Sequence, residues 1–384
     1  MRLININKGN DEGPQLEDFT FRLSQDDHGG DVTFKEFNES KDKIKQAAAI
    51  EGRKKRKDKI KKLPLRTAAF VKLLQAIKLA SDEGATHIWI DSCCINRDNS
   101  SELTEAINSM YQYYKQATKC LAYLDDFEAF SKLHNKKESL ESYEFSKTIW
   151  FKRGWTLQEL IAPKEVVFYN RKWKSFGKRS ENAVAEAICK VTKIPKEVLN
   201  GEAQPYDCSV AQRMSWAANR NTTRGEDMSY SLFGLFDVNL TLMYGEGAQK
   251  AFLRLQEAIM SRTTDMSLSA WKSTDTEEEY RGALARSPKE FGHAGELVER
   301  RFLGHNPEFS MTNRGLKIMP LLSKRVDGTY FLPLNCAEIK GDSEQSLGII
   351  LSKKDEQLFR YNPGNLSFFD PANDVRLKES KTPI

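Results

Sequence analysis

Apolar positions recur with a helical period in "RTAAFVKLLQAIKLASDEG", where Phe70, Leu73, Leu74, Ile77 and Leu79 share a face and Gly84 supplies a stop. The next run, "HIWIDSCCI", is compact and apolar and reads as a buried strand ending at Asp91. Ser101 then offers an N-cap to a second helix carrying Ile107, Met110, Tyr111 and Tyr114. "KCLAYLDD", residues 119–126, repeats the apolar strand with an acidic end, and "EVVFYN", residues 165–170, is a further strand. Between these two, "RGWTLQELIAP" reads as a short helix closed by Pro163. Upstream, "FTFRLS" at residues 19–24 alternates as a first strand before the turn chemistry of "QDDHGGD".

Strands alternating with helices predict βαβ units and a largely parallel sheet, whose ligands bind at the carboxyl ends of the strands. Asp91, Ser92, Asp125 and Asp126 fall at that edge, either to meet a ligand or to cap the turns that follow. From residue 180 to about 262 the pattern is mostly helical, with "SVAQRMSWAANR", "RGEDMSYSLFGLF" and "GAQKAFLRLQEAIM" as its clearest segments. Beyond about residue 280, "GLKIMPLL", "GTYFLPLNCAEI" and "SLGIILSKK" are short and β-rich, which predicts a smaller antiparallel module.

The 384 residues, 39% of them hydrophobic, suffice for one large domain or two ordinary ones. No apolar run is long enough to span a bilayer and "MRLININKGNDEGP" lacks the apolar core of a signal peptide, so the expected location is the cytoplasm, or the nucleus. Cys93, Cys94, Cys120, Cys189, Cys208 and Cys336 form no CxxC pair, and the five histidines are equally dispersed. That pattern speaks against a disulfide framework and against a metal site. The net charge of +5 gathers in "GRKKRKDKIKK", residues 52–62, a nuclear-localisation pattern or a solvated basic face. No aromatic residue interleaves with it, so a nucleic-acid partner is not expected.

The sharpest chemical question lies in "RGWTLQEL". Glu159 stands in an apolar stretch directly behind Trp150 and Phe151, and an ionised carboxylate there has to be exposed, paired or functional. Arg153 is its nearest cation and Trp155 lies one helical turn before it.

Three blocks, "HIWIDSCCINRDNSSELTEAINSMYQYYKQATKCLAYLDD", "WFKRGWTLQELIAPKEVVFYN" and "SVAQRMSWAANRNTTRGEDMSYSLFGLFDVNLTLMYGEGAQKAFLRLQEAI", together resemble the signature blocks of the fungal heterokaryon incompatibility (HET) domain. Residues 1–262 carry the resemblance; "GALARSP" and "MTNRGLKIMPLL" are similar to the β-rich extension that often follows it. This implies a HET domain over residues 1–270, made of an α/β part and a helical extension, and a C-terminal module over 271–384. One departure stands out: the family's Leu-Ser-His-x-Trp element is represented only by Leu23-Ser24-Gln25, with Ser24 retained.

HET domains trigger death of fused, incompatible cells and look like distant relatives of the TIR domain. The resemblance therefore implies a flavodoxin/TIR-like, mainly parallel sheet flanked by helices, and a TIR-type hydrolysis of NAD. Trp155 to Glu159 keeps the Trp-to-Glu spacing of such enzymes, which makes Glu159 the candidate catalytic residue. NAD is then substrate rather than cofactor. Nicotinamide is a good neutral leaving group, so the reaction needs no general acid; it needs a carboxylate near the ribose, in a site shielded from water, to offset an oxocarbenium-like charge.

Ser24, Asp91, Ser92, Arg153, Trp155 and Arg224 are the candidate substrate-binding residues. Trp155 either stacks on a ring of the dinucleotide or packs in the core. Arg153, Arg213, Arg220 and Arg224 either hold a pyrophosphate or pair with acids. "YGEG", residues 244–247, reads as a tight turn with Glu246 near a helix N-terminus. The expected partners are NAD or a related nucleotide, further copies of the chain, since TIR-like enzymes act when assembled, and an incompatibility partner protein. The contrasting expectation is a non-catalytic death-signalling adaptor that works by homotypic or partner binding.

Overall fold

A computed structural model describes residues 3–5, 15–17, 65–128, 143–275, 277–300, 309–312, 315–318, 322–355 and 357–369. The expected strand "FTFRLS", Ser24 and the basic run at 52–62 lie outside these residues. The chain is mixed α/β and divides into two compact units, Met1–Val191 with Leu199–Gly201, and Thr192–Val198 with Glu202–Ile384.

In the first unit, helix α1 (Leu65–Asp82) ends as its sequence predicts. Gly84 takes φ +84°, its N–H bonds Ser81 O at 3.0 Å, and Ala85 N bonds Ala80 O at 2.9 Å, the pattern that closes helices on a left-handed glycine. Strand β1 (Leu3–Asn5) pairs antiparallel with both β2 (Gln15–Glu17) and β3 (His87–Ile88). "HIWIDSCCI" is thus strand only at its start, and the expectation of a strand running to Asp91 is corrected. Asp91 instead opens helix α2 (Asp91–Cys94), where its carboxylate accepts from Ser92 N at 2.7 Å and Cys94 N bonds Ile90 O at 2.7 Å.

Helix α3 (Ser100–Gln116) is capped by Asn99 rather than Ser101. Asn99 has the extended backbone that a cap needs, and its side chain accepts from Ser101 N and Glu102 N, both at 3.1 Å. Strand β4 (Cys120–Leu124) runs parallel to β5 (Val166–Asn170), from Cys120 opposite Val166 to Leu124 opposite Asn170, and both are buried throughout. Between them come helix α4 (Tyr143–Lys147), a 3₁₀ turn at Ile149–Lys152 and helix α5 (Thr156–Ile161).

The largely parallel sheet expected from the alternation is present as this single pair among the described strands. β5 turns straight back into antiparallel β6 (Ser175–Lys178), and the segment after β3 leaves the extended state too early to join it. Around the pair, Phe127, Phe145, Phe151, Trp150, Phe168 and Phe176 meet mostly edge to face at centroid distances of 5.1–6.2 Å.

Helices α6 (Asn182–Thr192) and α7 (Lys196–Asn200) follow. The second unit continues with α8 (Val210–Ser215), capped by Ser209, then α9 (Asp227–Tyr230) and α10 (Ala248–Met260). Its main sheet is antiparallel. In it β11 (Ser323–Lys324), β12 (Tyr330–Lys340), β13 (Ser343–Lys354), β14 (Gln357–Tyr361) and β7 (Tyr280–Arg281) lie side by side. β8 (Leu297–Glu299) pairs with β12 and β15 (Ser367–Phe369) with β13, while β9 (Phe309–Thr312) and β10 (Gly315–Ile318) form a separate hairpin.

The "GALARSP" motif is structural. Gln256 exchanges hydrogen bonds with the backbone of Ala285 at 2.9 and 3.0 Å, and Trp271 Nε1 donates to Ala283 O at 3.0 Å. Two guanidiniums lie over the buried Trp271 indole, Arg360 at 3.9 Å and Arg281 at 4.7 Å.

Candidate functional site

Helix α5 is positioned from both ends. Trp155 at its start has helical backbone and provides no side-chain cap, so Thr156 does the local stitching: its hydroxyl donates to Trp150 O at 2.5 Å and Arg153 O at 2.9 Å. The 3₁₀ turn bearing Trp150 and Phe151 packs against the helix. Glu159 falls in its first turn, where the helix dipole favours a carboxylate, and is only 2% exposed. Exposure is therefore excluded as the explanation of this acid. Arg153, Trp155 and Glu159 share one local segment, with Arg153 and Trp155 half-buried.

At the other end, Arg179 grips the helix terminus. Its guanidinium donates to Leu160 O at 2.5 Å, Ile161 O at 3.3 Å and Lys164 O at 3.2 Å. The first two are carbonyls that a helix C-terminus leaves without donors, and the negative end of the dipole suits a cation. Arg179 is 5% exposed, and burial pulls its pKa down to about 10.

The acids expected at the carboxyl edge have protein partners. Asp125 pairs with Lys72 at 2.7 Å and accepts from Tyr123 Oη at 3.3 Å, and Asp126 accepts from Ile149 N at 2.7 Å. Asp91 faces Arg97 at 3.5 Å, and Ser92 is buried beside Cys93, its hydroxyl 3.8 Å from the thiol. A small cleft of about 130 Å³ opens among Trp89, Cys94, Glu102, Glu105 and Tyr113. The β5–β6 turn holds a further feature: Trp173 adopts φ 57°, a left-handed conformation that costs a bulky residue about 1–3 kcal/mol, and stacks on Tyr123 at 4.1 Å and 15°.

Arg224 belongs to the second unit, exposed, with its guanidinium 4.4 Å from the centre of the Tyr244 ring. Arg213 donates to Leu235 O and lies over Phe236; Arg220 is fully buried and donates to Trp216 O at 3.1 Å. The tight turn at "YGEG" is present, with Gly245 and Gly247 at φ +98° and +86°, but Glu226 rather than Glu246 anchors it. The Glu226 carboxylate accepts from Gly245 N and Gly247 N at 3.0 Å; a hydrogen bond from its own backbone N–H first, and these two next, hold its pKa below the ordinary value. Glu246 is taken up by Arg254 at 2.6 and 2.8 Å and by the Tyr230 hydroxyl at 3.1 Å.

Residues 39–144 match the heterokaryon incompatibility protein (HET) family. The chain carries a HET domain. A second match, to a domain of unknown function, DUF8212, covers residues 250–319 and so includes "GALARSP", Trp271 and Arg281. The chain is 49% identical over 177 residues to vegetative incompatibility protein HET-E-1 of Podospora anserina, a stretch that is 46% of this chain and 13% of that protein. No solved structure matches.

The HET-matched segment includes Asp91 and Ser92 but ends before Glu159. Among the described residues no group of His, Cys, Asp and Glu is arranged to hold a metal ion, and no helix is long and apolar enough to cross a membrane. Arg179 and the Tyr123–Trp173 stack escaped the sequence reading. "RKWKS" directly after "EVVFYN" was the available signal for the stack; nothing local marks Arg179, which acts on carbonyls 15–19 residues earlier.

Proposed function

We propose that the protein is a TIR-like NAD glycohydrolase that acts in fungal heterokaryon incompatibility, killing the cell by NAD depletion or by a nucleotide signal, and that self-association switches it on. The observation that carries this reading is Glu159: a carboxylate 2% exposed, four residues after Trp155, on a short helix packed against the Trp150–Phe151 turn. In such low-dielectric surroundings a carboxylate stabilises a developing ribosyl cation more strongly than it would in water. Arg153 and Trp155 are the neighbouring groups for phosphate and ring, and Asp91 and Ser92 are further candidate substrate contacts within the same unit. The HET domain and the relative's role in vegetative incompatibility support the biological setting.

At 2% exposure Glu159 does not meet a dissolved ribose in the isolated chain, which is why assembly belongs to the reading. Nicotinamide release followed against protein concentration tests it. Turnover per chain should rise with concentration, and Glu159→Gln should lower it by about 10²-fold or more. Assembled wild type that releases no nicotinamide, or Glu159→Gln with undiminished turnover, sinks the proposal.

The adaptor reading draws on the acids the sequence suggested as ligand contacts, since Asp91, Asp125 and Asp126 already have partners within the chain. Death that persists with Glu159→Gln and is lost when an assembly surface is charged favours it.

A further inference from the structure

Trp173 occupies a position where hairpins of this kind take glycine. In the turn from β5 to β6, Trp173 N donates to Asn170 O at 2.8 Å, Asn170 N donates to Lys174 O at 3.1 Å, and the Asn170 side chain accepts from Lys172 N and Lys174 N. This closure leaves residue 173 at φ 57°, which glycine or asparagine adopts readily and a bulky aromatic does not. The turn itself has no need of an indole, and Tyr123, on which the indole stacks, is separately tied to Arg171 O at 3.1 Å. A strained aromatic kept against the preference of its own turn points to a use.

The surroundings indicate what use. Arg171, Lys172 and Lys174 are exposed around the half-buried Trp173. Lys172 pairs with Glu128, and Asp125 is occupied by Lys72, whereas Arg171 and Lys174 have no carboxylate partner among the described residues. The turn directly follows Asn170, and Tyr123 lies one residue from the end of β4, so the cluster sits at the carboxyl ends of the one parallel pair among the described strands. Ligands of α/β sheets collect at that edge. The geometry points to a binding site for a purine nucleotide, with the base stacked on the face of the half-buried Trp173 opposite Tyr123 and the phosphates held by Arg171 and Lys174. No bond is broken there, so the site stands or falls separately from the role of Glu159.

Titration calorimetry of the full chain with ADP tests it. Wild type should bind one ADP saturably. Trp173→Gly should weaken binding roughly tenfold or more while the chain stays folded, because glycine suits the turn; Trp173→Phe should retain most of the affinity. Arg171→Ala combined with Lys174→Ala should weaken binding and flatten its salt dependence, and this exposed pair decides the matter should Trp173→Gly lose its fold. No ADP binding at millimolar concentration, or variants that bind as wild type does, overturns the site. So does tight binding of oligo(dA) without ADP binding, which marks a polynucleotide surface. ADP binding without nicotinamide release overturns the hydrolase reading alone; release without ADP binding overturns this one alone.

Discussion

Two guanidiniums buried to nearly the same depth, Arg179 in the first unit and Arg281 in the second, are held by different means. Arg281 meets Glu290 at 3.1 Å and Glu278 at 2.8 Å; burial alone would lower its pKa, and the two carboxylates more than restore it, so the net shift is upward. Arg179 bonds three carbonyls and, among the described residues, no carboxylate, and burial lowers its pKa to about 10. A counter-charge locks the second cluster, which lies in the DUF8212 segment and does structural work. Backbone dipoles hold the first, and what they hold is the end of the helix carrying Glu159. A buried cation paired with anions is locked in place because loss of either partner strands a charge, whereas one paired with dipoles positions a backbone segment at a standing cost of desolvation.

The contrast is open to experiment. Arg281→Met leaves Glu290 buried without its cation and should cost about 3–5 kcal/mol in denaturant unfolding, part of it recovered by adding Glu290→Gln. Arg179→Met leaves carbonyls rather than a charge behind; a smaller loss of about 1–2 kcal/mol is expected, with faster amide exchange confined to residues 155–163. An Arg179→Met loss equal to that of Arg281→Met would erase the distinction.

His293 probes the second unit through pH. Burial first, and the positive charge of Lys272 next, push its pKa down from 6.5 to about 4. The unfolded chain therefore binds a proton that the folded chain refuses. The stability is complete above about pH 6.5 and is lost as pH falls toward 4, amounting to about 2–3 kcal/mol, and His293→Gln should flatten that slope in urea midpoints measured across the range. Smallest of all, Trp173→Gly trades backbone strain against a ring stack and should leave stability within about 1 kcal/mol of wild type. A larger loss in thermal unfolding would make the indole a structural post.

Much of the local architecture was legible. The periodicity of α1 with its Gly84 stop, the helical reading of "TLQELI", the strands "CLAYL" and "VVFYN", and the antiparallel tail each follow from patterns within about twenty residues. The errors were of one kind. "HIWIDSCCI" has the composition of a buried strand, but the Asp91 carboxylate bonding Ser92 N turns it into a helix; Ser101 is a good cap, but Asn99 is better placed. Each time two candidates of similar intrinsic merit competed, and a hydrogen-bond partner chose between them.

The sequence by itself determined the HET resemblance, the succession of apolar strands and helices, and an acid at position 159 spaced from Trp155, because these are properties of neighbouring residues. Only the tertiary structure decided that Glu159 is buried, that Arg179 secures the far end of its helix, that one strand pair is parallel, and that Trp173 is strained against Tyr123. Burial, strand pairing and the choice of hydrogen-bond partner depend on residues far apart in the chain, and their energies exist only once those residues meet.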